Sequence, residues 1–308
     1  MIKILLYISK KNKNPKWPQL RQTIMSTGFV NKGKYKFILD ENEDYDYLLT
    51  FADGLIPELE IKVPKNKRIV VNMENPSIWT PDYAYLEYFG NIVTPVEINN
   101  IHETKNLITQ PGVCWFYGIK FKIDQGLSHI PILTEYLNLN DLAEIKKPNK
   151  DKLLSMVVSN KKGTKGHLWR IESALAIKKY FGENIDMFGF GWNPIEDKRD
   201  ALDSYQYSIV IENEAIENYW TEKLSDTILA YTVPIYFGAS NVQKYFKAEV
   251  KNNNYGVTEN EIIKIIKENI EKPKNSEDLY SLRHQIMYEH NIFYSIVNMI
   301  EKGCFRSN

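Results

Sequence analysis

Residues 205 to 238 hold the densest group of side chains able to do chemistry. Glu212 and Asn213 close a β-rich run, Ser208 to Ile211; Tyr219 follows, and Thr221, Glu222 and Lys223 open an amphipathic stretch that reaches Tyr231. The pattern predicts a strand that delivers Glu212 and Asn213 to its C-terminal edge, where open α/β sheets bind ligands. It then predicts a helix capped by Thr221. Free N–H groups and the positive end of the helix dipole attract phosphate oxygens, and Lys223 in the first turn adds a full cation. These residues make a pyrophosphate seat. Glu222 is placed to accept hydrogen bonds from sugar or ribose hydroxyls, and Tyr219 to stack or to donate a phenolic proton. The plainer alternative is a helix start of ordinary composition with a solvated lysine.

The remaining candidates are weaker. Asp44-Tyr45-Asp46 spells a carboxylate pair of the kind that holds a divalent ion, but it lies in the acidic run Asp40 to Asp46 and reads as a solvated loop. No two of the five histidines stand at metal-ligand spacing. Cys114 and Cys304 are far apart, so neither a disulfide framework nor a zinc site is expected, and a reducing cytoplasm fits. No metal is expected. Lys plus Arg equals Asp plus Glu at 39 each, which gives no net field for nucleic acid.

The elements that must position these residues are those of an α/β chain. At 308 residues, two domains of about 150 residues are expected. In the first half, Ile2 to Ile8, Tyr35 to Leu39, Tyr47 to Phe51 and Arg68 to Met73 read as strands, with a helix over Trp17 to Met25. In the second, Leu153 to Val158, Ile185 to Phe190, Ser208 to Ile211 and Val233 to Phe237 read as strands, with helices over His167 to Phe181 and Thr221 to Tyr231. Glu259 to Ile270 and Ser276 to Glu301 read as closing helices. The polar stretch Ile145 to Lys152 is the expected linker. This places a first domain at 1–150 and a second, with the C-terminal helices, at 151–308.

Taken together, Tyr205 to Asn213, Tyr219 to Leu224 and Val233 to Gly238 resemble the donor-binding signature of the α-1,3-fucosyltransferases, glycosyltransferase family 10, in both order and spacing. The resemblance implies two facing Rossmann-like domains of the GT-B type, an acceptor-binding first half and a donor-binding second half. It reaches upstream to Ser159-Asn160, which look like the family's strand-end pair ahead of a basic residue that contacts the donor diphosphate. Arg170 and Lys165 both qualify, Arg170 first because a guanidinium fork matches phosphate geometry. Phe188 to Trp192 resembles a Gly-containing segment of the family, and a tight turn explains those glycines equally. Over Arg68 to Pro76 and Pro111 to Tyr117 the likeness is looser. There Glu74 is similar to the carboxylate proposed as general base; capping of the Asn75-Pro76-Ser77 turn is the alternative.

What the resemblance implies is inverting transfer of L-fucose from GDP-fucose to a hydroxyl of a glycan acceptor, with no cofactor beyond that nucleotide-sugar co-substrate. The same fold with another nucleotide-sugar donor, or a catalytically silent glycan-binding protein, are the alternatives. No run of about 18 apolar residues is present, the length of a membrane span. A cytoplasmic, bacterial-type soluble enzyme of capsule or lipopolysaccharide assembly is expected, with peripheral membrane contact and oligomeric state left open.

Overall fold

The computed structural model describes residues 1–8, 20–52, 60–122, 132–271 and 276–306. The chain divides into two compact units. The first comprises Met1–Cys114, Leu137–Ala143 and Met287–Asn308, and the second Trp115–Tyr136 and Glu144–Ile286.

The first unit is built on seven strands: β1 (Ile2–Tyr7), β2 (Phe29–Val30), β3 (Tyr35–Ile38), β4 (Tyr47–Phe51), β5 (Arg68–Val71), β6 (Asn91–Thr94) and β7 (Lys105–Ile108). Their order is β2-β3-β1-β4-β5-β6-β7, parallel throughout except at β2–β3. Successive side chains of a strand point to opposite faces, so a strand buried on both sides reads as a continuous apolar run. On one face Ile4 and Leu6 join Leu49, Ile69 and Val71; on the other Leu5 and Tyr7 join Leu48, Val70 and Ile92. Helix α1 (Tyr83–Leu86) covers the second of these faces.

The second unit begins with the hairpin β8 (Ile119–Lys122) and β9 (Ile132–Tyr136). Helix α2 (Leu139–Glu144) comes next along the chain and belongs almost wholly to the first unit. The second unit then continues through β10 (Lys152–Val157), α3 (Lys165–Phe181), β11 (Ile185–Phe188), α4 (Arg199–Leu202), β12 (Tyr205–Ile211) and α5 (Glu222–Leu229). It ends with β13 (Val233–Phe237), β14 (Asn252–Asn253), α6 (Glu259–Glu271) and α7 (Ser276–Gln285). The sheet is wholly parallel in the order β11-β10-β12-β13-β14. Numbered within the unit this is 2-1-3-4-5, a doubly wound order whose switch point, between β10 and β12, is where such sheets hold ligands. Ala174 and Ile177 of α3 and Ile262 and Ile266 of α6 pack on the sheet face made by Met156, Ile209 and Ile211.

Three sequence expectations need correction. The proposed helix over Trp17 to Met25 lies partly outside the described residues, and from Leu20 onward it is a loop with a single 3-10 turn, Ile24–Ser26. The Thr23 hydroxyl donates to the Leu20 carbonyl and accepts from Gly28 N–H, and Met25 and Ser26 adopt positive φ, which closes a turn no α-helix can share. A single cut at residue 150 does not describe the units. Beyond a π-helical turn at Ile286–His290, α8 (Ile292–Glu301) lays Ile292, Phe293, Ile296 and Val297 on the first sheet, so the C-terminal helices are shared between the units. Phe293 meets Phe37 edge to face at 4.7 Å. The expected linker is also partly structural, because the Lys150 ammonium donates to the carbonyls of Leu202 and Ala230 and to Thr232 Oγ1.

Candidate active site

At the C-terminal edge of β12, Glu212 is fully buried and arranges its neighbours. Its Oε1 accepts the Thr221 N–H at 2.8 Å; its Oε2 accepts the Thr221 hydroxyl at 2.7 Å and the Lys223 ammonium at 3.2 Å. Thr221 caps α5 by accepting the Lys223 N–H and also receives the Lys223 ammonium at 3.0 Å. The helix therefore starts where the strand-end carboxylate fixes it. Gly238, at the end of β13, completes the fit: a Cβ there would lie 2.7 Å from Glu212 Cγ and 2.2 Å from the Tyr236 hydroxyl.

Glu222 faces Lys223 at 3.5 Å. Burial works against its charge, but the cations of Lys223 and Lys198 and a hydrogen bond from Thr221 outweigh it, and the Glu222 carboxyl is pulled down to about 2. Burial likewise opposes the charge on Lys223, and the Glu222 and Glu212 carboxylates outweigh it, so its pKa stands above the usual lysine range.

Helix α3 brings the second cation. Thr164 caps it by accepting the His167 N–H, and its first turn runs against the backbone of Asn213. Gly166 permits this approach, since a Cβ there would come within 1.7 Å of the Asn213 carbonyl oxygen. Arg170, 5 % exposed, then donates to Asn213 Oδ1 at 2.7 Å and to Ser159 Oγ at 3.1 Å, and its Nε meets no acceptor among the described residues. Both of these partners are neutral, and among the described residues no carboxylate is bonded to this charge. Burial lowers its pKa, with Glu212 among the groups that oppose the fall.

These groups converge. A cavity of about 160 Å³ at the β10/β12 switch point is lined by Ser159, Arg170, Lys198, Glu222, Lys223 and Asp226, among others. Of the two candidate phosphate ligands, Arg170 lines it, whereas Lys165 is exposed at the first position of α3. Asn160 is exposed one residue beyond Ser159, against Gly191. Gly189, at φ 107°, packs on the Val158 carbonyl, which a Cβ would approach to 2.3 Å, so a turn accounts for it. Tyr219 is 3 % exposed, a packed ring with little face left for stacking.

Lys198 and Asp226 are the functional candidates that sequence reasoning missed. The Lys198 ammonium donates to Asp226 Oδ2 at 2.5 Å, and Asp226 Oδ1 accepts the N–H groups of Phe116 and Tyr117 at 2.8 and 2.9 Å. The signal available was Asp226 standing one helical turn after Glu222, on the same side of α5.

Glu74 belongs to the first unit, just past the C-terminal end of β5, and is exposed. The side chain of Asn72 accepts its N–H and donates to its carbonyl, which fixes its backbone. The turn beyond is closed by Asn75 Oδ1, which accepts from the N–H and hydroxyl of Ser77. Within the Asp44-Tyr45-Asp46 segment, Asp46 Oδ2 accepts the Lys3 N–H and Lys62 lies 3.7 Å from Asp44. Among the described residues, no group of three or more His, Cys, Asp or Glu is placed to hold a metal ion, and no helix is long and apolar enough to cross a membrane.

Residues 147–274 match the model of the glycosyltransferase family 10 (fucosyltransferase) C-terminal domain. An α-(1,4)-fucosyltransferase of Arabidopsis thaliana is 51% identical over 45 residues, 15% of this chain and 11% of that protein. The α-(1,3)-fucosyltransferase FucT of Helicobacter pylori is 36% identical over 56 residues, 18% of this chain and 12% of that protein. The alignments thus span about a tenth of these relatives. A crystal structure of an α1,3-fucosyltransferase with GDP-fucose superposes with a TM-score of 0.51 at 15% identity, covering 98% of this chain and 89% of that one, which shows the shared GT-B fold. Residues 147–274 thus match the C-terminal domain of glycosyltransferase family 10, the fucosyltransferase family, and the fold of the chain agrees with that match.

Proposed function

We propose that this protein is an inverting glycosyltransferase that moves L-fucose from GDP-fucose to a hydroxyl of a glycan acceptor. The observation that carries the reading is the convergence of Arg170 and Lys223 on one cavity at the sheet's switch point, beside the Glu222 carboxylate. Two fixed cations match a nucleoside diphosphate as ligand and as leaving group. The solved relative with the matching fold holds GDP-fucose, which favours that donor among nucleotide sugars.

In this scheme the acceptor oxygen forms a bond to C1 of the sugar on the face opposite the diphosphate. The bond from C1 to the diphosphate oxygen breaks, and its electron pair leaves with GDP. Arg170 and Lys223 offset the charge that develops on that oxygen. Glu222, ionised throughout the physiological range, accepts hydrogen bonds from donor hydroxyls. Glu74, held by Asn72 at a strand end, takes the acceptor's proton. Ser159, Asn160 and Asn213 complete the donor site around Arg170, with Glu212, Tyr219 and Thr221 as its frame. With just two cysteines in the sequence, Cys114 and Cys304, far apart along the chain, a reducing compartment fits, and cytoplasmic assembly of a surface polysaccharide or lipopolysaccharide is the setting we assign.

The test is calorimetric titration with GDP, UDP and CMP, followed by turnover of GDP-fucose with a glycan panel. Selective GDP binding and fucosyl transfer are expected, and Glu222→Ala should abolish transfer while moving the unfolding midpoint little. Preference for another nucleotide would overturn the donor; a fully active Glu222→Ala would overturn the site.

A further inference from the structure

Lys198 lines the same cavity as Arg170 and Lys223. It comes from the loop before α4, and its side chain is 23 % exposed, whereas the Asp226 carboxylate that it meets is 1 % exposed. Asp226 is already engaged by the Phe116 and Tyr117 N–H groups through Oδ1, so the ammonium completes the carboxylate's partners. The converse does not hold. Asp226 Oδ2 is the only hydrogen-bond partner of the Lys198 ammonium among the described residues, and an ammonium carries three N–H donors. The Phe116 ring, 5.4 Å from Nζ, flanks the chain and restricts it further. A lysine held in this way, with donors left over at a cavity wall, loses little freedom when a ligand arrives. Lys198 also acts on Glu222, one turn before Asp226 on α5, as one of the cations that hold its carboxyl low.

We propose that Lys198 is a donor-binding residue, a third cation that contacts the diphosphate of the nucleotide sugar and is held in place by Asp226. The proposal rests on the nucleotide-sugar reading of the cavity. It implies that the anion site is a three-cation cradle drawn from α3, the loop before α4, and α5.

The test separates a ligand contact from a lysine that only neutralises Asp226. Lys198→Gln alone leaves a buried carboxylate without its counter-ion, so it is compared with the double variant Lys198→Gln/Asp226→Asn. In the double variant the amide oxygen introduced at position 226 can still accept both backbone N–H groups, and no charge is left unpaired. Binding of GDP, UDP and inorganic pyrophosphate is measured by calorimetry at two or more salt concentrations. If Lys198 contacts the diphosphate, the double variant binds about tenfold more weakly than wild type, the size of one lost charge-assisted hydrogen bond, and its affinity falls less steeply with salt. Lys198→Arg should recover most of the loss, and KM for the donor should rise more than kcat falls. Wild-type affinity in the double variant, with weakening confined to Lys198→Gln, would overturn the proposal. A second arm uses the unmodified protein: saturating pyrophosphate should protect Lys198 from lysine acylation, and unchanged labelling would also overturn it. If wild type binds UDP in place of GDP, the donor assignment falls while a loss of UDP affinity in the double variant still supports Lys198. A protein that binds none of the three removes both readings.

Discussion

Replacement of Glu212 by Gln tests whether the strand-end carboxylate is what builds the site. The side chain is fully buried and meets three donors, the Thr221 N–H, the Thr221 hydroxyl and the Lys223 ammonium. Glutamine keeps the shape and one acceptor oxygen. Its carbonyl can still take the Thr221 N–H, and its amide can donate to the Thr221 oxygen once that hydroxyl turns. Lys223 then faces an NH2 group where it had a carboxylate. Breaking a buried ion pair by removing one partner costs roughly 3–5 kcal/mol. Here the cost is smaller, because the Lys223 side chain is 20 % exposed and Glu222 remains 3.5 Å away to share its charge. About 2 kcal/mol is the expected loss, which for a unit of this size lowers the unfolding midpoint by about 4–8 °C. Differential scanning calorimetry near pH 7 and low salt reads it directly. Saturating GDP should restore part of the loss, since the diphosphate supplies the negative charge that Lys223 has lost. A midpoint within about 1 °C of wild type would refute the argument that Glu212 holds the cap and the cation together.

Gly166→Ala should separate α3 from the β12 edge, because its Cβ would sit 1.7 Å from a backbone oxygen that cannot swing away; weakened GDP binding together with a lowered midpoint is expected, and unchanged values would show that the approach is not required. Arg170→Lys keeps the charge but cannot span Asn213 and Ser159 as the fork does, so donor affinity measured by calorimetry should fall about tenfold. Burial pulls the Lys150 amine from 10.5 down to about 8. Between those values the unfolded chain holds the proton that the folded protein has released, so stability measured relative to Lys150→Met should rise with pH from about 8 to 10.5 and stay flat below about 8. Phe293→Ala removes a ring buried on the first sheet and should cost about 3–4 kcal/mol. Hydrogen exchange should then quicken in β1 and β4 and stay unchanged in β10 and β12, and the reverse pattern would contradict the placement of α8.

The parts of this molecule legible in its sequence are those whose partners are close along the chain. Runs such as Ile2 to Tyr7 and Val233 to Phe237 announce parallel strands because both faces of each are buried, so no polar residue interrupts them apart from Lys3 near the start of the first. The cap of α5 was readable because Glu212, Thr221 and Lys223 fall within a dozen residues, and strand-loop-helix geometry leaves few ways to arrange them. Where the partners are remote, the same residue types gave no signal. The apolar stripe of α8 would suit either sheet; what ties it to the first is a bridge between Val113 and Asn291 and a glycine, Gly112, that lets the Ile292 backbone approach to 2.7 Å of where a Cβ would stand. Lys198 lies in the fully charged run Glu196 to Asp200, which has no apolar pattern to mark any of its residues as buried. Its carboxylate partner is 28 residues away, and that partner's two backbone donors are 110 and 109 residues away. A charge becomes part of a site when burial removes its water and a fixed partner replaces it. For Lys198 and Asp226 that replacement exists only after the segment carrying Phe116 and Tyr117 has folded onto α5, which is why spacing alone could find the cluster of Glu212, Thr221 and Lys223 but not the Lys198–Asp226 pair beside it.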